Sequence, residues 1–440
     1  MNLFKYKALP LTLILSSSLS WGVEFHGYFR AGVDTTNKGE SVDYRVNDLG
    51  RYGNENTGWY TLFLGDEVFN KDNRSVNVVA GLEGNTGLTK AFEPNGLPQD
   101  QGNLRAQDRS YNSFTNLYAD FINFLPFAPK AHLWIGKRNY DKKELQFMDY
   151  KIVAIGGPGV GVDHIKVGDG QLALSWVRSD SSLSKAISPS TSSTTNDGLD
   201  VNVFDARYSF PIFSKSKFEW IADYGIPSTT TSQDTNVSRG LSHPVDNPVM
   251  LTGIFTTPFL NGFNETDLQF ASKGWAANMT GLGIDLNTNS DFSQATGYRL
   301  INTGEFYPSS HVIIAHAFTY AQAYKLSNPE SRALDLRQGN SAHVQDQRLI
   351  SLAVRPGYIW DQYNKTTFEA SVFKRENDNT TLTGSKLTIA QVISVGESML
   401  TVRPEVRFYA TYLKANDEKP FDDGQSNSQF TIGAQVEAWW

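Results

Sequence analysis

The chain has 440 residues, of which 19% are charged, with 36 Gly, 17 Pro, no Cys and a formal net charge of −7. Without cysteine there is no disulfide, thiolate nucleophile or zinc ribbon, and the acidic balance provides no footprint for a nucleic-acid partner. The negative mean hydropathy excludes a bundle of membrane helices, but not a membrane barrel, whose lumen-facing residues stay polar.

The first predicted element is a leader. Lys5 and Lys7 precede a short apolar run from Ala8 to Leu15, and Ser20 and Gly22 are small residues just before Val23. A charged start, an apolar stretch too short to cross a bilayer and a small-residue junction predict a signal peptide over 1–22. The mature domain is then expected over 23–440.

From Val23 onward the apolar period is two. Phe25, Phe29, Ala31 and Val33 share one face, while Glu24, His26, Tyr28, Arg30 and Asp34 share the other. That strand is long enough for a tilted membrane crossing. The same alternation returns over 75–83, 217–224, 349–360, 405–412 and 430–440. Turn-rich stretches at 84–102, 179–200, 227–248, 287–294, 327–347 and 416–428 separate such runs, and their lengths vary widely. A soluble sandwich also alternates. However, apolar faces ending in Trp, Tyr or Phe, together with an aromatic last residue, favour an all-β chain forming a transmembrane antiparallel β-barrel.

Chemistry is sparse. The seven histidines form no metal-ligand motif, the glycine-rich run 156–161 lacks the lysine of a phosphate loop, and no Gly-x-Ser-x-Gly elbow occurs. Neither an enzyme nor a cofactor is expected. The informative residues are aromatics on polar faces: Tyr28 beside Arg30, Trp59 in step with Thr61 and Glu67, and Trp439 in step with Gln435 and Glu437. A large ring facing a wet lumen gains stabilisation when a flat partner packs on it. The apolar face of a pyranose is such a partner, and neighbouring charges would hydrogen-bond its hydroxyls. For any single ring, local wall packing is the alternative.

The two chain ends, Val23-Glu24-Phe25-His26-Gly27-Tyr28 and 430–440, resemble those of the maltoporin family of sugar-specific outer-membrane porins. Gly65-Asp66-Glu67-Val68-Phe69, Trp134-Ile135-Gly136-Lys137-Arg138, Gly156-Gly157-Pro158-Gly159, Val203-Phe204-Asp205-Ala206-Arg207, Lys386-Leu387-Thr388-Ile389-Ala390-Gln391 and Arg403-Pro404 follow in family order. The resemblance implies about 18 strands, a constricting loop folded into the lumen, and a homotrimer in the outer membrane of a bacterium, in contact with lipid and lipopolysaccharide. It also implies an aromatic "greasy slide" flanked by polar tracks. Tyr28, Trp59, Phe263 and Trp439 fall on slide positions, and Arg30 and Arg51 on polar-track positions. Lys142, Glu144 and Asp149 would lie in the constricting loop, with Lys151 where the family places a tyrosine.

This chain also departs from the family. Leu400 or Thr401 stands where a slide tryptophan is expected, Thr61 replaces an acidic track residue, and the family's cysteine pair is missing. A slide aromatic contributed by a neighbouring subunit does not align, although Phe92 is near. The expected function is facilitated diffusion of oligosaccharides, maltose and maltodextrins or a related sugar. The alternatives are a non-selective or anionic-sugar porin of the same fold, an adhesin or phage receptor, and a barrel hydrolase. Lys151 either adds a cation that favours anions or pairs with a carboxylate such as Asp149.

Overall fold

The computed structural model describes residues 23–440 except 40, 56, 89–109, 187–193, 214, 282–285, 287, 289–290, 328–343 and 379. The expected signal peptide and Phe92 lie outside the described residues.

Nineteen strands are present among the described residues. The first seven are β1 (Glu24–Thr36), β2 (Gly58–Lys71), β3 (Arg74–Thr86), β4 (Tyr111–Ile122), β5 (His132–Leu145), β6 (Tyr150–Val167) and β7 (Gly170–Arg178). Next come β8 (Ser181–Ala186), β9 (Thr194–Ile212), β10 (Ser216–Ser228), β11 (Val249–Phe259), β12 (Gly262–Ser272) and β13 (Thr296–Ser309). The chain finishes with β14 (Val312–Ser327), β15 (Val344–Ile359), β16 (Asn364–Asn377), β17 (Thr380–Ser394), β18 (Glu405–Ala415) and β19 (Ser428–Trp439).

Eighteen of these form a closed antiparallel barrel. Each pairs with its chain neighbours, except that β7 skips to β9 while β8 extends β9 as an added hairpin. The seam closes where β1 meets β19, with Tyr28 opposite Trp439 and Asp34 opposite Gly433. Closure leaves no unpaired edge, which an aqueous-to-lipid crossing requires. No helix among the described residues is long and apolar enough to cross a membrane; the strands cross instead.

The period of two explains which residues face where. Along β16, Phe368 and Val372 are exposed while Glu369, Ser371 and Phe373 are buried. Along β18, Val406, Phe408 and Tyr412 are exposed, and Arg407, Tyr409 and Thr411 are buried. The outer face is therefore apolar and the inner face polar. Trp440 is exposed and packs on Phe25 at 5.4 Å between ring centroids, on the lipid side of the seam.

Most connections at one end are short, such as those at 72–73, 168–169 and 260–261, and most at the other end are long. In outer-membrane barrels the short turns are periplasmic and the long loops external. Two of the loops read as irregular from sequence contain regular structure. One holds β8. The other holds a helix, α1 (Thr231–Ser238), started by a capping box in which the Thr230 side chain accepts from Gln233 N–H and the Gln233 side chain accepts from Thr230 N–H.

Two segments reach inward-facing groups of distant strands. The 37–57 connection lies against the wall of β15 to β17: Ser351 Oγ donates to Asp48 O, Ser371 Oγ to Leu49 O, and Lys386 Nζ to Gly50 O and Tyr52 O. Beneath it, Glu369 is fully enclosed between Arg355 at 2.6 Å and Lys386 at 2.5 Å. The tip of the β5–β6 hairpin extends to β12 and β13. Ile152 O accepts from Gln269 Nε2 at 2.9 Å and from Arg299 Nη2 at 3.3 Å, while Tyr150 Oη donates to Met279 O.

Candidate functional site

Strand register sets the aromatic rings first. Arg30 on β1 lies opposite Trp59 on β2, and Tyr28, two residues nearer the periplasmic end, lies opposite Trp439 on β19. Trp59, Tyr28 and Trp439 thus occupy inward positions of three neighbouring strands, with Tyr28 and Trp439 level in register and Trp59 one inward residue further toward the external side. Phe263 is elsewhere. It sits at the periplasmic start of β12, in step with the buried Asp267 and Gln269, and opposite Glu305.

A cavity of about 790 Å³ opens beside the first two rings, within the ~300–1,000 Å³ typical of ligand clefts. Tyr28, Trp59, Arg30, Arg51, Lys142, Glu144, Asp149 and Lys151 all line it. Phe263 and Trp439 are not among its lining residues. Trp439 also has the Arg403 guanidinium 4.7 Å from its ring centroid, so one face of that indole is already covered.

The charged residues are held by one another. Arg30 meets Glu55 at 2.8 Å, and Arg51 meets Glu55 at 2.7 Å and Glu437 at 3.3 Å. Tyr28 Oη accepts from Arg51 Nη2 and donates to Glu437 Oε1. Arg403 and Arg407 complete the set around Glu437. Arg30 and Arg51 are buried, so they present a fixed edge to the cavity rather than mobile arms. Such a network limits the reorganisation a passing ligand demands.

On the hairpin, Lys142 and Lys151 share Glu144 at 2.7 and 2.8 Å, and Lys151 also reaches Asp149 at 2.9 Å. Of the two readings of Lys151, the structure shows the paired one. The cavity lining as a whole carries five cationic and five anionic side chains, so it offers hydrogen bonds of both senses without net charge. Lys151→Ala removes one positive charge, and the expected result is a shift toward cation selectivity, read as a change in reversal potential across a salt gradient. An unshifted potential would mean that Lys151 contributes no field to permeating ions.

Several lining residues were not assigned to the sugar path from sequence. Phe63 follows Trp59 and Thr61 on the inward parity of β2, and Gly81 opposite it makes room for the ring: a Cβ there would lie 2.7 Å from Phe63 Cε1. Tyr118 lines the cavity too, with the Arg138 guanidinium 4.9 Å from its centroid. Phe63 was readable from its parity with Trp59. Glu55, by contrast, sits in a loop where no periodicity marks it. Among the described residues, no group of three or more His, Cys, Asp or Glu is placed to hold a metal ion.

A closed barrel with an apolar outer face and a polar, charge-balanced inner cavity defines a channel-type protein of the bacterial outer membrane. The LamB porin family model matches residues 23–440, and the chain belongs to that family. It is 32% identical over 426 residues to Maltoporin 1 of Klebsiella pneumoniae, covering 95% of this chain and 93% of that protein. Among solved structures, OpdK of Pseudomonas aeruginosa with vanillate aligns over 94% of this chain and 98% of its own, with 12% identity and a TM-score of 0.46. The channel DcaP of Acinetobacter baumannii aligns over 95% and 97%, with 12% identity and a TM-score of 0.41. Both likenesses are loose.

Proposed function

We propose that the protein is a passive channel for facilitated diffusion of neutral oligosaccharides, maltose and maltodextrins or a related sugar, acting as a homotrimer of the 23–440 domain after removal of residues 1–22. The observation that carries this reading is the row of Trp59, Tyr28 and Trp439 on three adjacent strands, flanked by fixed charges. A sugar stacks its apolar face on one ring after another and exchanges water for the hydrogen-bonding edge of Arg30, Arg51, Lys142, Glu144, Asp149 and Lys151. Phe263 serves as a late step near the periplasmic exit, and the β5–β6 hairpin acts as the constriction. Each site must bind weakly enough to release, as in any conducting pore.

Equal numbers of cationic and anionic side chains around the cavity favour a neutral sugar over an anionic one, because no net field concentrates either sign. Planar-bilayer recording with matched neutral and uronic-acid oligosaccharides tests this. Saturable current block is expected from the neutral series and weaker block from the acidic one. Equal or stronger block by the acidic series would reject the neutral cargo. Because Arg403 covers one face of Trp439, Trp439→Ala should weaken block less than Trp59→Ala; the reverse order would mean that the Trp439 indole is the main stacking surface.

A further inference from the structure

At the periplasmic end of β5 and β6, two histidines far apart in sequence stand side by side. His132 opens β5 on the inward parity of Trp134 and Arg138 and lies opposite Asp163 on β6. The residue after Asp163, His164, would face lipid if alternation held, because Val160 and Val162 lie opposite the exposed Trp176 and Leu174. Alternation breaks here. The β6–β7 register slips between Val162 and Ile165, and His164 takes a left-handed backbone with φ 59°. Such a bulge re-aims a side chain. The two imidazole rings end 4.4 Å apart between centroids, with 37° between their planes.

His132 is already oriented as a ligand. Its Nδ1 is 2.8 Å from Asp120 Oδ2 on β4. A carboxylate only accepts, so Nδ1–H donates, and in the neutral ring the lone pair lies on Nε2. A carboxylate behind one ring nitrogen is the common support of a metal-binding imidazole, since it fixes the tautomer and makes the other nitrogen more basic. The remaining Asp120 oxygen, Oδ1, is buried without a hydrogen-bond partner, which leaves acceptor capacity beside the rings. The His132 side chain is 28% exposed and His164 is exposed, so an ion can reach both.

The ring spacing suits a shared ion. Two imidazoles bound at ~2.0–2.1 Å to one metal bring their centroids to about 4.5–5 Å, close to the separation found. Asp163 is committed to Arg138 at 3.0 Å and to Tyr140 Oη at 2.7 Å. Among the described residues no third His, Cys, Asp or Glu is grouped with the pair, so the other coordination positions go to water. Nitrogen donors disfavour calcium and magnesium, which take oxygen, and suit zinc, nickel and copper. His243 and His316 differ: their Nε2 atoms bond Thr288 O and the Asn264 and Asn302 side chains.

We propose that His132 and His164 bind one divalent transition-metal ion of the zinc, nickel or copper type, with Asp120 orienting His132. On β4, Asn116 and Tyr118 line the sugar cavity, and Asp120 is the next inward residue toward the periplasm. The ion therefore sits on the same wall, just beyond the cavity, and adds positive charge to the path that leaves it. The site does not depend on the identity of the cargo.

The test is isothermal titration of the untagged, metal-stripped protein in detergent with zinc chloride, together with electron paramagnetic resonance of the same protein carrying one equivalent of copper(II). One saturable zinc site per chain, not displaced by excess magnesium, and a copper spectrum with two nitrogen donors are expected. Asp120→Ala should lower zinc affinity about tenfold, the cost of losing a supporting carboxylate. Asp120→Asn should cost less, because its amide oxygen still accepts from Nδ1–H. His132→Gln and His164→Asn each remove a ligand and should cost at least as much as Asp120→Ala. Asparagine tolerates the left-handed backbone at 164, and an unchanged heat-modifiable band separates loss of the ligand from loss of the fold. His311→Gln, at the β13–β14 turn, should bind zinc like the parent. Absence of a saturable zinc site, parental affinity in His164→Asn, or a parental copper spectrum with a single nitrogen would each overturn the proposal.

Discussion

Glu369→Ala is expected to be the most damaging single change in the lumen. Glu369 is enclosed between Arg355 and Lys386, and its removal leaves two buried cations sharing no carboxylate. Breaking a buried pair by deleting one partner costs about 3–5 kcal/mol. The effect extends beyond β16, because the Lys386 ammonium also holds Gly50 O and Tyr52 O, and the Arg355 guanidinium lies over the rings of Tyr52 and Phe147 at 3.9 and 4.2 Å. The inward loop and the hairpin tip are therefore fastened at one point. Heat-modifiability on gels should show the folded band lost at a clearly lower temperature, with Glu369→Gln intermediate. If the alanine variant melts like the parent, the triad is not a structural clamp.

The second large effect concerns Trp59→Ala. Covering about 50 Å² of indole face with a sugar ring is worth about 1.3 kcal/mol at 25 cal/mol per Å². That corresponds to roughly a tenfold loss of affinity. Single-channel current block by a neutral oligosaccharide should need about ten times more sugar, while open-channel conductance and oligomeric state stay as in the parent. Arg30 and Arg51 are anchored by ion pairs to Glu55 and Glu437, which Trp59→Ala leaves intact. A block constant that does not move would remove Trp59 from the sugar path.

Much of the fold was legible because a barrel strand has one apolar and one polar face, and the two faces must alternate. The first and last strands could be paired in advance: Phe25 and Trp440 on the lipid side and Tyr28 and Trp439 on the lumen side follow from parity alone. What parity cannot give is anything outside a strand. The β8 hairpin was hidden in a Ser- and Thr-rich stretch that reads as loop, although those residues tolerate extended backbone well. Helix α1 left a trace in Thr230 and Gln233 at capping-box spacing, but its polar composition gives no amphipathic stripe.

The candidate site was legible to the same degree. Tyr28, Trp59 and Arg30 could be placed by strand register, and their approach to Lys142, Glu144, Asp149 and Lys151 rested on the family resemblance. The pairing of Lys151 with Glu144 and Asp149 depends on the left-handed turn at Asp149 (φ 50°), which sequence does not announce. Likewise, Glu55 unites Arg30 and Arg51 only because the 37–57 connection folds against the far wall, a long-range arrangement with no local signature.

The most direct measurement is the structure of the protein with a neutral oligosaccharide bound. Sugar density flat against the Trp59 and Tyr28 rings, with hydroxyls at the Arg30–Glu55–Arg51 edge and the Lys142–Glu144–Lys151 cluster, is the predicted result. A saccharide seated away from these rings, or a cavity that stays empty at concentrations that block the current, would contradict it.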